Sequence, residues 1–266
     1  MGAVNMKNYN INSYINFYGN YVDNRFNYSS RQNTYTLDRQ IGDVNGDGVA
    51  DIVYLVGEKS QSNFYENIRV MVQDGSTQNW YVIPLYSDYS MAFDPWLFLG
   101  SFTSYSSKEI MISLPVGGSG ALTYYYVISF YNNNAEYMLG PEQFTDLVQS
   151  LGFEAKYMDN YKVLVRSIKL NQSYIVDVSD RKEFYEGTVY NNQGKLIKPL
   201  NGFILYQPHL YPVKTDGIAP YKLQAQNTIA GTSHADRLGY TVTYWKYDRQ
   251  SKTWELEPDY FFVMLG

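Results

Sequence analysis

The sequence predicts an all-β fold, and three observations carry that prediction. Of 266 residues, 29 are tyrosine, 13 phenylalanine, 22 asparagine and 20 glycine. Aromatic and β-branched side chains suit a pleated, half-buried surface, while asparagine and glycine suit the turns between strands. An acidic loop over residues 41–52 runs directly into DIVYLVG, a β-branched and aromatic run ended by glycine, which reads as a buried strand. The pattern of that loop and strand then returns from Leu99 to Gly118.

Composition narrows the function classes. Hydrophobic residues make up 45% and charged residues 18%, the balance of a chain that folds around a sizeable core. The formal net charge is −5, so neither nucleic acid nor an anionic membrane surface is an expected partner. No apolar run approaches the roughly 20 residues of a spanning helix, so no membrane insertion is expected. With no cysteine and only His209 and His234, disulfides, thiol catalysis and Cys/His zinc sites are set aside.

Taken in chain order, residues 1–35 read as an asparagine-rich N-terminal arm. It shows no apolar leader segment. Either it stays exposed, or Ile11, Tyr14, Ile15, Phe17 and Tyr18 dock and complete a further sheet.

Residues 41–52, IGDVNGDGVADI, hold the one sharp motif. Asp43, Asn45, Asp47 and Asp51 stand at positions 1, 3, 5 and 9 of a loop, and Val49 at position 7 offers its carbonyl. Gly46 and Gly48 give the backbone freedom to curl these oxygens around one point. Calcium takes six to eight oxygen ligands, which this spacing and water can supply, whereas magnesium wants a tighter octahedron. The plain alternative is an Asn-Gly/Asp-Gly hairpin turn with no metal. An EF-hand needs a glutamate at position 12 and a following helix; Tyr54 and a strand stand there instead. A dockerin needs a second nearby copy, each running into a helix.

The φ-Gly-Asp-x-Asn-x-Asp-Gly-x-x-Asp-φ pattern, filled by Ile41 to Ile52, resembles the calcium loop of FG-GAP/VCBS repeats. Those repeats form β-propeller blades in integrin α-subunit heads and in secreted bacterial proteins. The surrounding text is similar to VCBS-repeat proteins of spore-forming Firmicutes. The strong match covers about a dozen residues, and a weaker one most of 36–266. The resemblance implies a Ca2+ cofactor and an extracellular, cell-surface or spore-surface setting.

A single blade cannot bury its faces, so a propeller requires further copies. Sliding the loop forward until Gly42 meets Gly100 sets DIVYLVG on EIMISLPVG, while Asp43, Asn45, Asp47 and Asp51 become Ser101, Thr103, Tyr105 and Glu109. A longer shift sets Asp47-Gly48 on Asp216-Gly217, with Pro212, Lys214 and Pro220 at the other ligand positions. Tyr157–Ile168 fits an intermediate copy with a short Asp159-Asn160 turn and no loop. The fold expected is therefore a small β-propeller of about four blades, five if the arm completes one. Its units lie near 36–95, 96–150, 151–205 and 206–266, each of four strands. The competing reading is chance alternation within a β-sandwich. One calcium is expected, at Asp43, Asn45, Asp47, Val49 and Asp51.

PEQFTDLVQSLG, Pro141 to Gly152, breaks the strand pattern. Phe144, Leu147, Val148 and Leu151 recur at helical spacing between a leading proline and a trailing glycine, so a short amphipathic insertion is expected there.

Residues 57–67, 117–124 and 230–240 become equivalent loops and would ring one mouth of a propeller. They define a candidate ligand-binding rim of Gly118, Ser119, His234, Asp236 and Arg237. Ser119, His234 and Asp236 can be assembled into a Ser/His/Asp arrangement on paper, but no nucleophile-elbow context surrounds Ser119. Tyr124-Tyr125-Tyr126 and Tyr244-Trp245-Lys246-Tyr247 could stack on sugars, although strand alternation favours core packing. His209, in YQPHLYP, is expected to be exposed in a turn. The function expected is a non-enzymatic, calcium-stabilised binding or structural module with a protein or glycan ligand. The alternative is a carbohydrate-active or phosphoester hydrolase on a propeller scaffold, and spore-coat or matrix material is a third class.

Overall fold

The computed structural model describes residues 34–265 except 61–62, 104–105, 119–121, 216 and 218–219. Residues 1–33 of the arm, and Ser119 of the rim, therefore lie outside the described residues.

The described chain is all-β, built from consecutive antiparallel sheets. The first sheet contains β1 (Thr34–Gly42), β2 (Asp51–Lys59), β3 (Tyr65–Gln73) and β4 (Trp80–Pro84), in that order. The second repeats the arrangement with β5 (Trp96–Gly100), β6 (Glu109–Gly117), β7 (Leu122–Ser129) and β8 (Glu136–Leu139). The third contains only β9 (Phe153–Met158), β10 (Lys162–Ser167) and β11 (Gln172–Asp177). The fourth contains β12 (Phe203–Ile204), β13 (His209–Val213), β14 (Lys222–Ala230), β15 (Arg237–Asp248), β16 (Thr253–Leu256) and β17 (Phe262–Leu265).

Strand pairing fixes how these sheets correspond. Gly42 faces Asp51 across β1 and β2, and Gly100 faces Glu109 in the same way across β5 and β6. In the fourth sheet Val213 faces Lys222, so Val213 is the counterpart of Gly42 and Lys222 that of Asp51. The fourth copy thus sits two positions away from the alignment that sets Asp47 on Asp216. Counted along the sequence from that pair, Lys214, Asp216, Ile218 and Lys222 correspond to the four ligand positions, of which 216 and 218 lie outside the described residues. An error of two positions preserves strand alternation, so side-chain pattern alone could not expose it.

The third sheet departs further from the expected unit. Met158 faces Lys162 directly, leaving the short turn anticipated at Asp159-Asn160. Among the described residues no fourth strand joins this sheet; after β11 the chain forms a 3-10 turn and a second short helix, Lys182–Tyr185. The Tyr185 ring from that helix is fully buried and fills part of the third core. Residues 200–204 then straddle two sheets. The Tyr157 N–H donates to the Leu200 carbonyl and the Gly202 N–H to the Ala155 carbonyl, after which Phe203 and Ile204 pair with β14.

Burial follows from strand pattern. In β9, Phe153, Ala155 and Tyr157 are buried while Glu154, Lys156 and Met158 are exposed, the period-two signature of a strand with one face in a core. From Glu109 to Leu114, β6 is buried at every residue because its sheet is covered on both faces. Ile110, Ile112 and Leu114 meet Val53, Leu55, Ile68 and Val70 of the first sheet. Met111 joins Tyr125, Val127, Leu223, Trp245 and Trp254 in a core shared with the fourth sheet. A third core joins Val163, Val165 and Val176 to Ile229 and Leu238. Burying one such side chain stabilises by roughly 1.5–3 kcal/mol. The second core also takes in Phe153 of the third sheet, so it joins the second, third and fourth sheets, while the first core joins the first sheet to the second.

The helix expected at 141–152 forms as α1 (Gln143–Gln149), with Phe144 and Val148 buried and Leu151 buried just beyond it. It lies in the core between the second and fourth sheets, where Phe144 meets Trp245 edge-on at 5.1 Å. The tyrosine clusters mainly pack: Tyr125 and Tyr126 are buried, as is Trp245. His209 is half-buried in β13 rather than exposed in a turn, and burial lowers its pKa.

Candidate functional site

The loop between β1 and β2 is folded around its own side-chain oxygens. Asp43 accepts the Gly46 N–H at 2.6 Å and the Gly48 N–H at 3.0 Å, one on each carboxylate oxygen. Asn45 Oδ1 accepts the Asp47 N–H, and Asp47 Oδ1 accepts the Val49 N–H. The last two contacts are Asx turns, the local structure that aspartate and asparagine favour. Gly46, at φ +84°, carries the chain past Tyr131, whose ring lies 2.6 Å from where a Cβ would stand.

Asp51 plays a different part. It is fully buried; its Oδ2 accepts the N–H groups of Val44 and Asn45, and its Oδ1 that of Gly75. Burial raises its pKa, and those three N–H groups pull the other way. The Gly75 backbone approaches so closely that a Cβ there would collide with the Ala50 carbonyl oxygen.

Neighbouring segments wedge the loop in place. The Lys108 N–H donates to the Asp43 carbonyl and the Asn132 N–H to the Asn45 carbonyl, joining the first sheet to the second. Asn45 Nδ2 donates to Asp74 and to Asn133 Oδ1, while Asn133 Nδ2 also donates to Asp74. Burial acts to raise the Asp74 pKa, but Thr77, the Ser76 N–H and Asn133 outweigh it and hold the group below its ordinary value. Asn132 and Asn133 both have positive φ, which asparagine tolerates better than most residues.

Can this loop hold a cation? Among the described residues, no three His, Cys, Asp or Glu side chains already form a metal-binding group. The donor chemistry nonetheless fits a hard cation. Each carboxylate or amide oxygen offers two lone pairs, so Asp43, Asn45 and Asp47 keep capacity, since none of their oxygens accepts more than one of these N–H groups. Asp51 keeps one lone pair, on Oδ1.

The second sheet preserves part of this arrangement. Glu109, the counterpart of Asp51, is buried and accepts the Phe102 N–H at 2.6 Å and the Thr103 hydroxyl at 2.5 Å. Its pKa is raised by burial. In the fourth sheet Lys222 reverses the charge, donating to the Thr215 hydroxyl and pairing with Glu257 at 2.8 Å.

The candidate rim divides into separate environments. The 57–67 and 117–124 loops approach one another through Phe93, which packs on Phe64 and lies near Gly117. Gly118 has a positive φ of +85° and open space around its Cα. Among the described residues, no contact of His234, Asp236 or Arg237 reaches those two loops. His234 instead meets Phe203 edge-on, and exposed Arg237 donates to the Tyr240 hydroxyl.

Asp236 turns inward and is only 8% exposed. It accepts the Thr232 N–H and hydroxyl, the Tyr185 hydroxyl at 2.7 Å and Arg181 at 3.0 Å. Tyr157 donates to Tyr185 behind it. Burial acts to raise the Asp236 pKa, but the Thr232, Tyr185 and Arg181 hydrogen bonds together bring it below its ordinary value. Burial drives the Tyr185 pKa far upward, which leaves its hydroxyl a donor. This arrangement orders the 231–236 turn rather than orienting His234. Arg181, Tyr185 and Tyr157 lie far from Asp236 in the chain, and no local motif marked them.

The "Uncharacterized protein YybI" of Bacillus subtilis (strain 168) is 34% identical to this chain over 210 residues. The match covers 79% of this chain and 78% of that protein. The chain belongs to the YybI family. A YybI C-terminal domain profile also matches residues 151–261. That YybI segment starts as α1 ends and takes in the third and nearly all of the fourth sheet, the two joined by residues 200–204. The Asp236 cluster lies wholly within the matched segment, and the Asp43–Asp51 loop outside it.

Proposed function

We propose that this YybI-family chain is a non-enzymatic, calcium-stabilised binding or structural module of a bacterial cell surface, spore surface or secretome. The observation that carries the reading is the Asp43–Asp51 loop, which gathers three carboxylates and an amide and is wedged between the first two sheets. A bound calcium ion would supply positive charge among these oxygens. Asp43, Asn45, Asp47 and the Val49 carbonyl would hold it, with the free lone pair of Asp51 as a further donor. Asp51 also orders both ends of the loop through Val44 and Gly75. The calcium reading therefore predicts a stronger junction between the first two sheets rather than a reaction.

The non-enzymatic half is supported by the occupation of the buried acids. Asp236 and Glu109 accept hydrogen bonds from nearby backbone and side-chain donors, which suits structural roles. The extracellular setting is supported by the resemblance of the loop to FG-GAP/VCBS repeats.

We read the scaffold as propeller-derived. The pairs Gly42–Asp51, Gly100–Glu109 and Val213–Lys222 share one strand register, which supports a repeated blade. The third unit would then be a blade that lost its metal loop and fourth strand. Calorimetric titration with calcium chloride tests the metal reading: saturable heat is expected for the unaltered chain and none for Asp47→Ala. A magnesium chloride titration of equal strength would count against calcium.

A further inference from the structure

A cavity of about 200 Å³ lies where β7, the approach to α1 and residues 207–210 meet. Drug-sized ligands generally occupy larger pockets, roughly 300–1,000 Å³, so this one suits a small group. Its walls include Tyr89, Tyr124 and Phe144, with Glu142 and Gln207 as polar groups. The Tyr89 and Tyr124 rings meet at 89° with centroids 4.9 Å apart, giving two walls at right angles. The Tyr89 hydroxyl donates to Glu142 Oε1 at 2.5 Å, fixing this exposed carboxylate beside the ring. Among the described residues, no lysine, arginine or histidine lines the cavity. Among the described residues, Glu142 has no ion-pair partner and its second oxygen accepts no hydrogen bond.

We propose that this cavity binds a small organic ammonium group. Aromatic faces attract cations through their quadrupoles, and the Glu142 carboxylate supplies the opposite charge. An anion would meet that carboxylate without a compensating cation. A neutral sugar could use the ring faces and amide but would not need the charge. The inference gives the binding-module reading a ligand class and rests on that reading, but it makes no use of the calcium loop.

Tetramethylammonium chloride is titrated into the full chain while amide resonances are followed by NMR, with ethylammonium chloride to compare quaternary and primary amines. Potassium chloride, tert-butanol and glucose are the controls. Saturable shifts at Gly140, Thr145 and Gln207 are expected with either amine and not with the controls. Glu142→Gln, an exposed substitution, should weaken binding about tenfold while leaving distant resonances in place, and Tyr124→Leu should also weaken it. Equal shifts from tert-butanol, potassium or glucose would overturn the proposal. So would unchanged affinity in Glu142→Gln, or no saturable shift with either amine. A calcium titration of the same samples reads the metal loop separately, so failure at one site is distinguishable from failure at the other.

Discussion

Asp51 and Glu109 occupy the same place in successive sheets. Each opens the second strand, faces a glycine across the pair, and accepts the N–H of a buried residue two positions after that glycine: Val44 for Asp51 and Phe102 for Glu109. A carboxylate at this point satisfies backbone donors that the departing first strand leaves unpaired. The shared role accounts for an acidic residue remaining in the second copy when Asp43, Asn45 and Asp47 have become Ser101, Thr103 and Tyr105.

Glu109→Ala would leave the Phe102 N–H and the Thr103 hydroxyl without their carboxylate. The cost should be about 2–3 kcal/mol, or roughly 5–10 °C in melting temperature for a chain of this size. Thermal unfolding followed by circular dichroism measures it. A change under about 1 °C would remove Glu109 from the role described.

Asp51→Asn and Asp47→Ala should separate folding from metal binding. An amide at residue 51 would turn its NH2 toward backbone donors, at a cost of about 2 kcal/mol. Chemical denaturation should therefore show a loss for Asp51→Asn even in chelator. Exposed Asp47 should cost little without calcium. Equal behaviour of the two variants in chelator would contradict this division.

The buried acids also predict a pH profile. Burial raises the Glu109 pKa above its ordinary 4.5, so the folded chain takes up this proton before the unfolded chain does. Its ionised form costs stability at higher pH, and that cost fades as pH falls through the raised folded pKa toward 4.5. Asp236 is held below its ordinary 3.8, so it stabilises above that value and loses its contribution as pH falls through the lower folded pKa. Urea denaturation should show a gain below neutral pH that Glu109→Gln reduces, followed by an acid loss that Asp236→Asn reduces. Profiles unchanged by both substitutions would overturn the assignment.

Asp236→Asn should also lower neutral-pH stability, by about 2–4 kcal/mol, because Arg181 and Tyr185 lose a charged acceptor. Arg181 retains some solvent contact, which limits the loss. His234→Ala should change stability by less than about 0.5 kcal/mol, since that side chain is exposed. Comparable losses in both variants would return His234 to the cluster.

Local chemistry made much of the fold readable. DIVYLVG and EIMISLPVG announced strands, the Phe144–Leu151 spacing announced the helix, and setting Gly42 on Gly100 found the correct register of the second sheet. The fourth register was missed by two positions because alternation repeats every two. What covers β6 was hidden, because its run reads as buried on both faces without naming either neighbour. At the site, Asp43, Asn45, Asp47 and Asp51 were conspicuous together, but their spacing could not show that Asp51 points inward to Val44 and Gly75. The joining of Asp236 to Arg181 and Tyr185 depends on folding together segments that lie far apart in the chain.

The melting temperature of the unaltered chain and of Asp47→Ala, each measured with millimolar calcium and with chelator, tests the central claim most directly. Calcium should raise the melting temperature of the unaltered chain by several degrees, as ligand binding to the folded state requires. It should leave Asp47→Ala unmoved. A melting temperature indifferent to calcium in both proteins would contradict the account.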